Sequence, residues 1–133
     1  MRKAAQAILN DLDCPEGELS ILIEDDDGIA KLNNQYLQRI GPTNVISFPM
    51  RDSDFSGNNH DLLGDVVISA ETAEREGNDS GTGFDIRFAE LLIHGILHLF
   101  GYDHEKNGIE AEIMESKAAE LLKLIETTSF TSS

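Results

Sequence analysis

Three of the four histidines fall within eleven residues, in the run His94-Gly95-Ile96-Leu97-His98-Leu99-Phe100-Gly101-Tyr102-Asp103-His104. Spaced four apart on a helix, His94 and His98 share one face, with Cβ atoms roughly 5–6 Å apart. Two imidazoles so placed reach one ion at about 2.0–2.1 Å. Gly101 lets the chain turn back sharply, so that His104 approaches from the far side. Three neutral imidazoles leave a fourth position open for water, the pattern of a catalytic zinc site. The bland alternative is three core histidines with satisfied hydrogen bonds. Burying three imidazoles without a shared partner is costly, so the metal is preferred. One zinc ion on His94, His98 and His104 is the expectation, although nickel, copper or iron also accept imidazoles.

The helix that carries this pair runs from about Phe84 to Phe100 and is apolar on nearly every side, which predicts burial. Thr82, with Asp85 three residues on, resembles a capping box for its start, and Gly101 suits a left-handed C-cap. Upstream, Ala4, Ala5, Ile8 and Leu9 recur at helical spacing, and Leu19, Ile21 and Ile23 alternate like a strand. Asp25-Asp26-Asp27 suits the positive end of a helix dipole better than a calcium site, since the alternating ligands of an EF-hand are absent. The helix that follows carries Ile29, Leu32, Tyr36 and Leu37 on one face and is expected to end at Gly41-Pro42. Val45 to Phe48, stopped by Pro49, and Leu62 to Ser69 read as strands, with a polar loop from Arg51 to Asp61 between them. Ser69 is placed to cap a short helix ending near Gly77, with a loop over Asn78 to Gly83. Ile109, Ile113, Leu121, Leu122 and Ile125 mark an amphipathic C-terminal helix, and Thr127 to Ser133 reads as a disordered tail. One α+β domain over residues 1–133 is predicted, with a small mixed sheet packed by helices.

Composition narrows the function. The chain has 133 residues and a formal charge of −15. Broad binding to phosphate backbones is thereby disfavoured, because Lys and Arg supply it. A nucleic-acid role would depend on a few placed cations, a metal ion or a partner protein. Cys14 is the single cysteine, so no internal disulfide is possible. No run is long and apolar enough for an export signal or a bilayer span, and a cytoplasmic protein without membrane contact is expected.

The two histidines, the glycine and the third histidine match the ligand frame of the metzincin proteases. Those enzymes place a glutamate directly after the first histidine as general base. Here that residue is Gly95. A zinc peptidase is thus a rival lacking its base. A glycine inside a helix costs roughly 1 kcal/mol relative to alanine, so something must approach closely there: substrate, backbone or a packed strand.

Taken whole, His94-Gly-x-x-His98-Leu-x-Gly101-Tyr102-Asp103-His104 resembles the signature of the YbeY family, bacterial endoribonucleases of rRNA maturation. Pro42-Thr43-Asn44-Val45-Ile46-Ser47-Phe48-Pro49 and Leu63-Gly64-Asp65-Val66-Val67-Ile68 are similar to two further family segments, in the same order. The resemblance implies a zincin-like site on a buried helix and zinc held by the three histidines. It also implies a single-strand-specific endoribonuclease that matures the 3′ end of small-subunit rRNA and serves ribosome quality control. Its implied partners are precursor rRNA, the small ribosomal subunit and associated assembly proteins, and not DNA. A second alternative is a non-catalytic assembly factor that uses zinc to lock its fold.

Two departures stand out. The family places an arginine after the tyrosine matched by Tyr36; here it is Leu37, and Arg39 follows two positions later. Members also open with a strand, whereas this chain begins at a helix, so either the sheet is one strand smaller or the start is truncated. Arg39, Ser47 and Asp65 are the candidate substrate contacts, with Arg51 a further local cation. Asp65 could equally orient a histidine or make a strand-end hydrogen bond. Glu90, one turn before His94, could orient that ring or act as the missing base. Asp103 reads as a turn residue, His60 as a surface histidine and Met114 as core.

Overall fold

The structure is a computed structural model that describes residues 2–50, 62–102 and 108–126. The expectations for Arg51, His60, the 51–61 loop, Asp103, His104 and the tail fall outside the described residues. Helix α1 (Arg2–Asp11) buries Ala4, Ala5, Ile8 and Leu9, the stripe its spacing predicts. Strand β1 (Glu18–Glu24) follows. Asp25 caps α2 (Asp26–Leu37) by accepting from the Gly28 N–H at 2.7 Å, and Asp26 and Asp27 occupy the first turn. The acidic run is therefore a helix cap, as its place before an apolar face suggests.

Strands β2 (Val45–Pro49) and β3 (Leu62–Ser69) complete a mixed sheet of order β1-β3-β2. β3 is central, parallel to β1 and antiparallel to β2. Its residues alternate between two apolar faces, so Val66, Val67 and Ile68 are all buried. Val66 and Ile68 join the main core. Val67 joins Ile29 and Ile46 on the opposite face, under α2.

Helices α3 (Ala70–Ser80), α4 (Phe84–Leu99) and α5 (Gly108–Ile125) follow. α4 buries Leu91, Leu92, Ile93, Ile96 and Leu97, and Met114, Leu121 and Ile125 of α5 lie in the same core. Lys117 of α5 donates to Asp11 of α1 and to Glu120, and those bonds, Asp11 foremost, hold its ammonium well above the ordinary lysine range. No helix among the described residues is long and apolar enough to cross a membrane.

Three boundaries differ from the sequence reading. α2 stops at Leu37, before Gly41-Pro42, because Gln38 turns left-handed (φ 56°) and the Gln38 and Arg39 N–H groups close on Asn34 and Asn33 carbonyls. α3 runs past Gly77 to Ser80 and ends at Gly81. The expected capping box at Thr82 does not form. Gly83 is the N-cap, with no side-chain cap bond, and the Thr82 hydroxyl pairs with that of Ser80 instead. The Gly83 N–H meanwhile donates back to the Gly77 carbonyl, which ties the linker to the end of α3.

A polar network joins the starts of α2 and α3. The Ser69 hydroxyl, which also caps α3 through the Thr72 N–H, donates to Asp26 Oδ1 at 2.6 Å, as does the Thr72 hydroxyl. Arg75 donates to Asp26 Oδ2 at 3.0 Å. The Ser69 and Thr72 hydroxyls, and then the Arg75 guanidinium, hold the Asp26 carboxyl at a pKa of about 2. A lowered folded pKa stabilises above the unfolded value, near 3.9. Urea titration is therefore expected to show Asp26→Asn less stable than the parent near neutral pH. The gap should close between about pH 4 and pH 2, as the parent's carboxylate takes its proton.

Candidate metal centre and its cleft

α4 lies against the sheet at Gly95. A Cβ there would come within 2.5 Å of Val66 Cγ1 and 3.2 Å of Val45 Cγ2. Val66 is fully buried and β-branched, so it has little freedom to yield. Close helix–strand packing thus accounts for the glycine. The Ser47 hydroxyl fixes the same contact by donating to the Gly95 carbonyl at 2.7 Å.

That packing sets the histidines on either side. His94 and His98 line one cleft of about 570 Å³, together with Leu37, Arg39, Ser47 and Arg87. His94 Nδ1 lies 2.9 Å from the Glu90 carbonyl. A carbonyl only accepts, so Nδ1 carries a proton, and in the neutral ring the Nε2 lone pair is the one available to a metal. Gly101, at φ +94°, supplies the left-handed turn after α4, with its N–H on the His98 carbonyl and the Tyr102 N–H on the Leu97 carbonyl. Two imidazoles one turn apart, one with its tautomer fixed, suit a zinc ion. His104, the third expected ligand, is not among the described residues, which by themselves hold no group of three metal-ligating side chains.

The other candidates divide. Arg39 and Ser47 line the cleft beside the histidines. Asp65 is exposed on β3, opposite Phe48 and Ser20, and does not line it. The Glu90 carboxylate faces Arg87, and it is the Glu90 backbone that orients His94.

Arg87 is the residue that the sequence reading missed. Its Nε donates to Glu76 of α3 at 2.8 Å and its Nη1 to Glu90 at 3.0 Å. Burial works against its charge, and the bonds to Glu90 and Glu76 outweigh burial, so its proton is held more tightly than in an ordinary arginine. The available signal was its position two helical turns before His94, on the same face. Its partner Glu76 comes from another helix and could not be read from the pattern.

The chain can also be set beside known proteins. The sequence model for Endoribonuclease YbeY matches residues 1–126. An Endoribonuclease YbeY of Geobacter sulfurreducens is 50% identical over 127 residues, which is 95% of this chain and 85% of that one. One from Syntrophotalea carbinolica is 50% identical over 126 residues, 94% and 84% of the two chains. The solution structure of a Thermotoga maritima protein shares the fold, with a TM-score of 0.70 at 23% identity over 98% of this chain and 82% of that one.

Gly95→Ala tests the packing. The added methyl raises helix propensity by roughly 1 kcal/mol. Overpacking typically costs 1–3 kcal/mol, so net destabilisation of about 1 kcal/mol is expected in a denaturant titration. An increase in stability would contradict the contact with Val66.

Proposed function

This chain belongs to the Endoribonuclease YbeY family, and we propose that it is a zinc-dependent, single-strand-specific endoribonuclease that matures the 3′ end of small-subunit rRNA and serves ribosome quality control in the cytoplasm. The supporting observation is the cleft in which His94 and His98 stand beside Arg39. Precursor rRNA is the substrate in this reading, and the small ribosomal subunit with its assembly proteins is the setting.

His94, His98 and His104 would hold the ion. Bound there, zinc would supply Lewis acidity to a phosphoryl oxygen. The chain's own contribution is placement. The Glu90 carbonyl holds the proton of His94 on Nδ1, and Ser47 holds α4 at the edge of the sheet. Arg39 makes no ion pair with the described residues, so its guanidinium stands ready for a phosphate in the cleft. It occupies the neighbourhood that the family arginine would take at Leu37. Arg87 is neutralised by Glu76 and Glu90 and contributes little net attraction.

The peptidase alternative loses ground on geometry. A glutamate base at position 95 would drive its Cβ into Val66.

Elemental analysis of the purified chain is expected to give one zinc per molecule, lost in His94→Ala. Cleavage of single-stranded RNA by His98→Ala should fall by more than the 10–100-fold that loss of an outer partner costs. Zinc that stabilises the parent without any cleavage would favour the non-catalytic assembly factor. Equal cleavage by parent and His98→Ala would remove the metal from the chemistry.

A further inference from the structure

Among the described residues β2 forms one edge of the sheet, and its pairing with β3 fixes which way each backbone group points. The Ser69 N–H donates to the Asn44 carbonyl and the Met50 N–H to the Leu63 carbonyl, in the register that pairs Ile46 with Val67. Hydrogen-bonded pairs alternate in an antiparallel ladder. Ile46 and Phe48 therefore turn their N–H and C=O groups to β3, while Val45, Ser47 and Pro49 turn theirs to the open edge. Pro49 fits this parity, because proline tolerates an edge position whose N–H would face away from the ladder. The Val45 and Ser47 N–H groups make no hydrogen bond within the described residues. All three odd-numbered residues line the cleft that holds His94, His98 and Arg39.

We propose that the open edge of β2 is the rail that seats the RNA strand: the N–H groups of Val45 and Ser47 donate to phosphate oxygens, and their carbonyls accept from ribose 2′-hydroxyls. The two amides stand about 6.7 Å apart, two strand residues, on the scale of successive phosphates in an extended chain. A chain with a charge of −15 cannot grip RNA through a broad basic face, and neutral backbone donors serve where cations are few. The edge carbonyls need a donor, which ribose has and deoxyribose lacks, so the same rail prefers RNA to DNA. A polypeptide could also pair with such an edge, but Arg39 at the cleft wall and the missing donor at Pro49 favour a polyanion.

This inference rests on the endoribonuclease reading. The test is amide-resolved hydrogen exchange by NMR on the zinc-loaded full chain, with a short phosphorothioate oligoribonucleotide that resists hydrolysis. The Val45 and Ser47 amides should exchange quickly in the free protein. They should slow by about tenfold or more in the complex, the scale of a hydrogen bond to a charged acceptor. The deoxy analogue of the same sequence should bind several-fold more weakly. RNA binding that leaves both amides unprotected overturns the rail. Equal affinity for the two oligonucleotides overturns the hydroxyl contacts. Protection by an extended peptide but not by RNA overturns the choice of occupant. Absence of any RNA binding would instead remove the endoribonuclease reading on which the rail stands.

Discussion

The close approach of α4 to β2 and β3 at Gly95 is the constraint on which the site depends. With no side chain there, the helix settles onto Val66 and Val45, and Ser47 bonds the helix backbone directly. The histidines at 94 and 98 flank this contact on consecutive turns. Their placement beside the sheet edge is a consequence of how near the helix can come. A larger residue at position 95 would lift the helix, and with it both imidazoles, away from the strand that forms the cleft wall.

The cleft also shows how an acidic chain can address an anionic substrate. Two arginines line it, and they are not equivalent. Arg87 is tied to Glu76 and Glu90 and serves to join α3 to α4, two turns before His94. Arg39 reaches the cleft because α2 ends early: the left-handed Gln38 reverses the chain and delivers Leu37 and Arg39 to the same wall. With so little positive charge, attraction must come from local donors, which act over a short range.

On the other face of the sheet, Asp26 gathers hydroxyls and a guanidinium from α3, and at the far end of the core Lys117 ties α5 to α1. These polar ties sit away from the histidines. They fix the helices around the sheet and leave the cleft wall to be set by β2 and α4.

The sequence alone determined a good deal. The three-histidine run, the buried helix under it, the acidic cap at Asp25 and the strand Leu62–Ser69 follow from spacing, because they depend on neighbours a few residues away. The family was legible for the same reason: its motifs are short and contiguous. Contacts between distant segments lay beyond the reach of spacing. Gly95 admitted three explanations until Val66 was found against it. Glu90 was singled out for its carboxylate, yet its carbonyl orients His94. Arg87 drew no notice because its partner Glu76 is on another helix. Asp65 and Ser47, alike as candidates, were separated by strand parity and sheet order, with Ser47 facing α4 and Asp65 outside the cleft. Periodicity assigns a residue to a face of its own element, and only packing decides what that face meets.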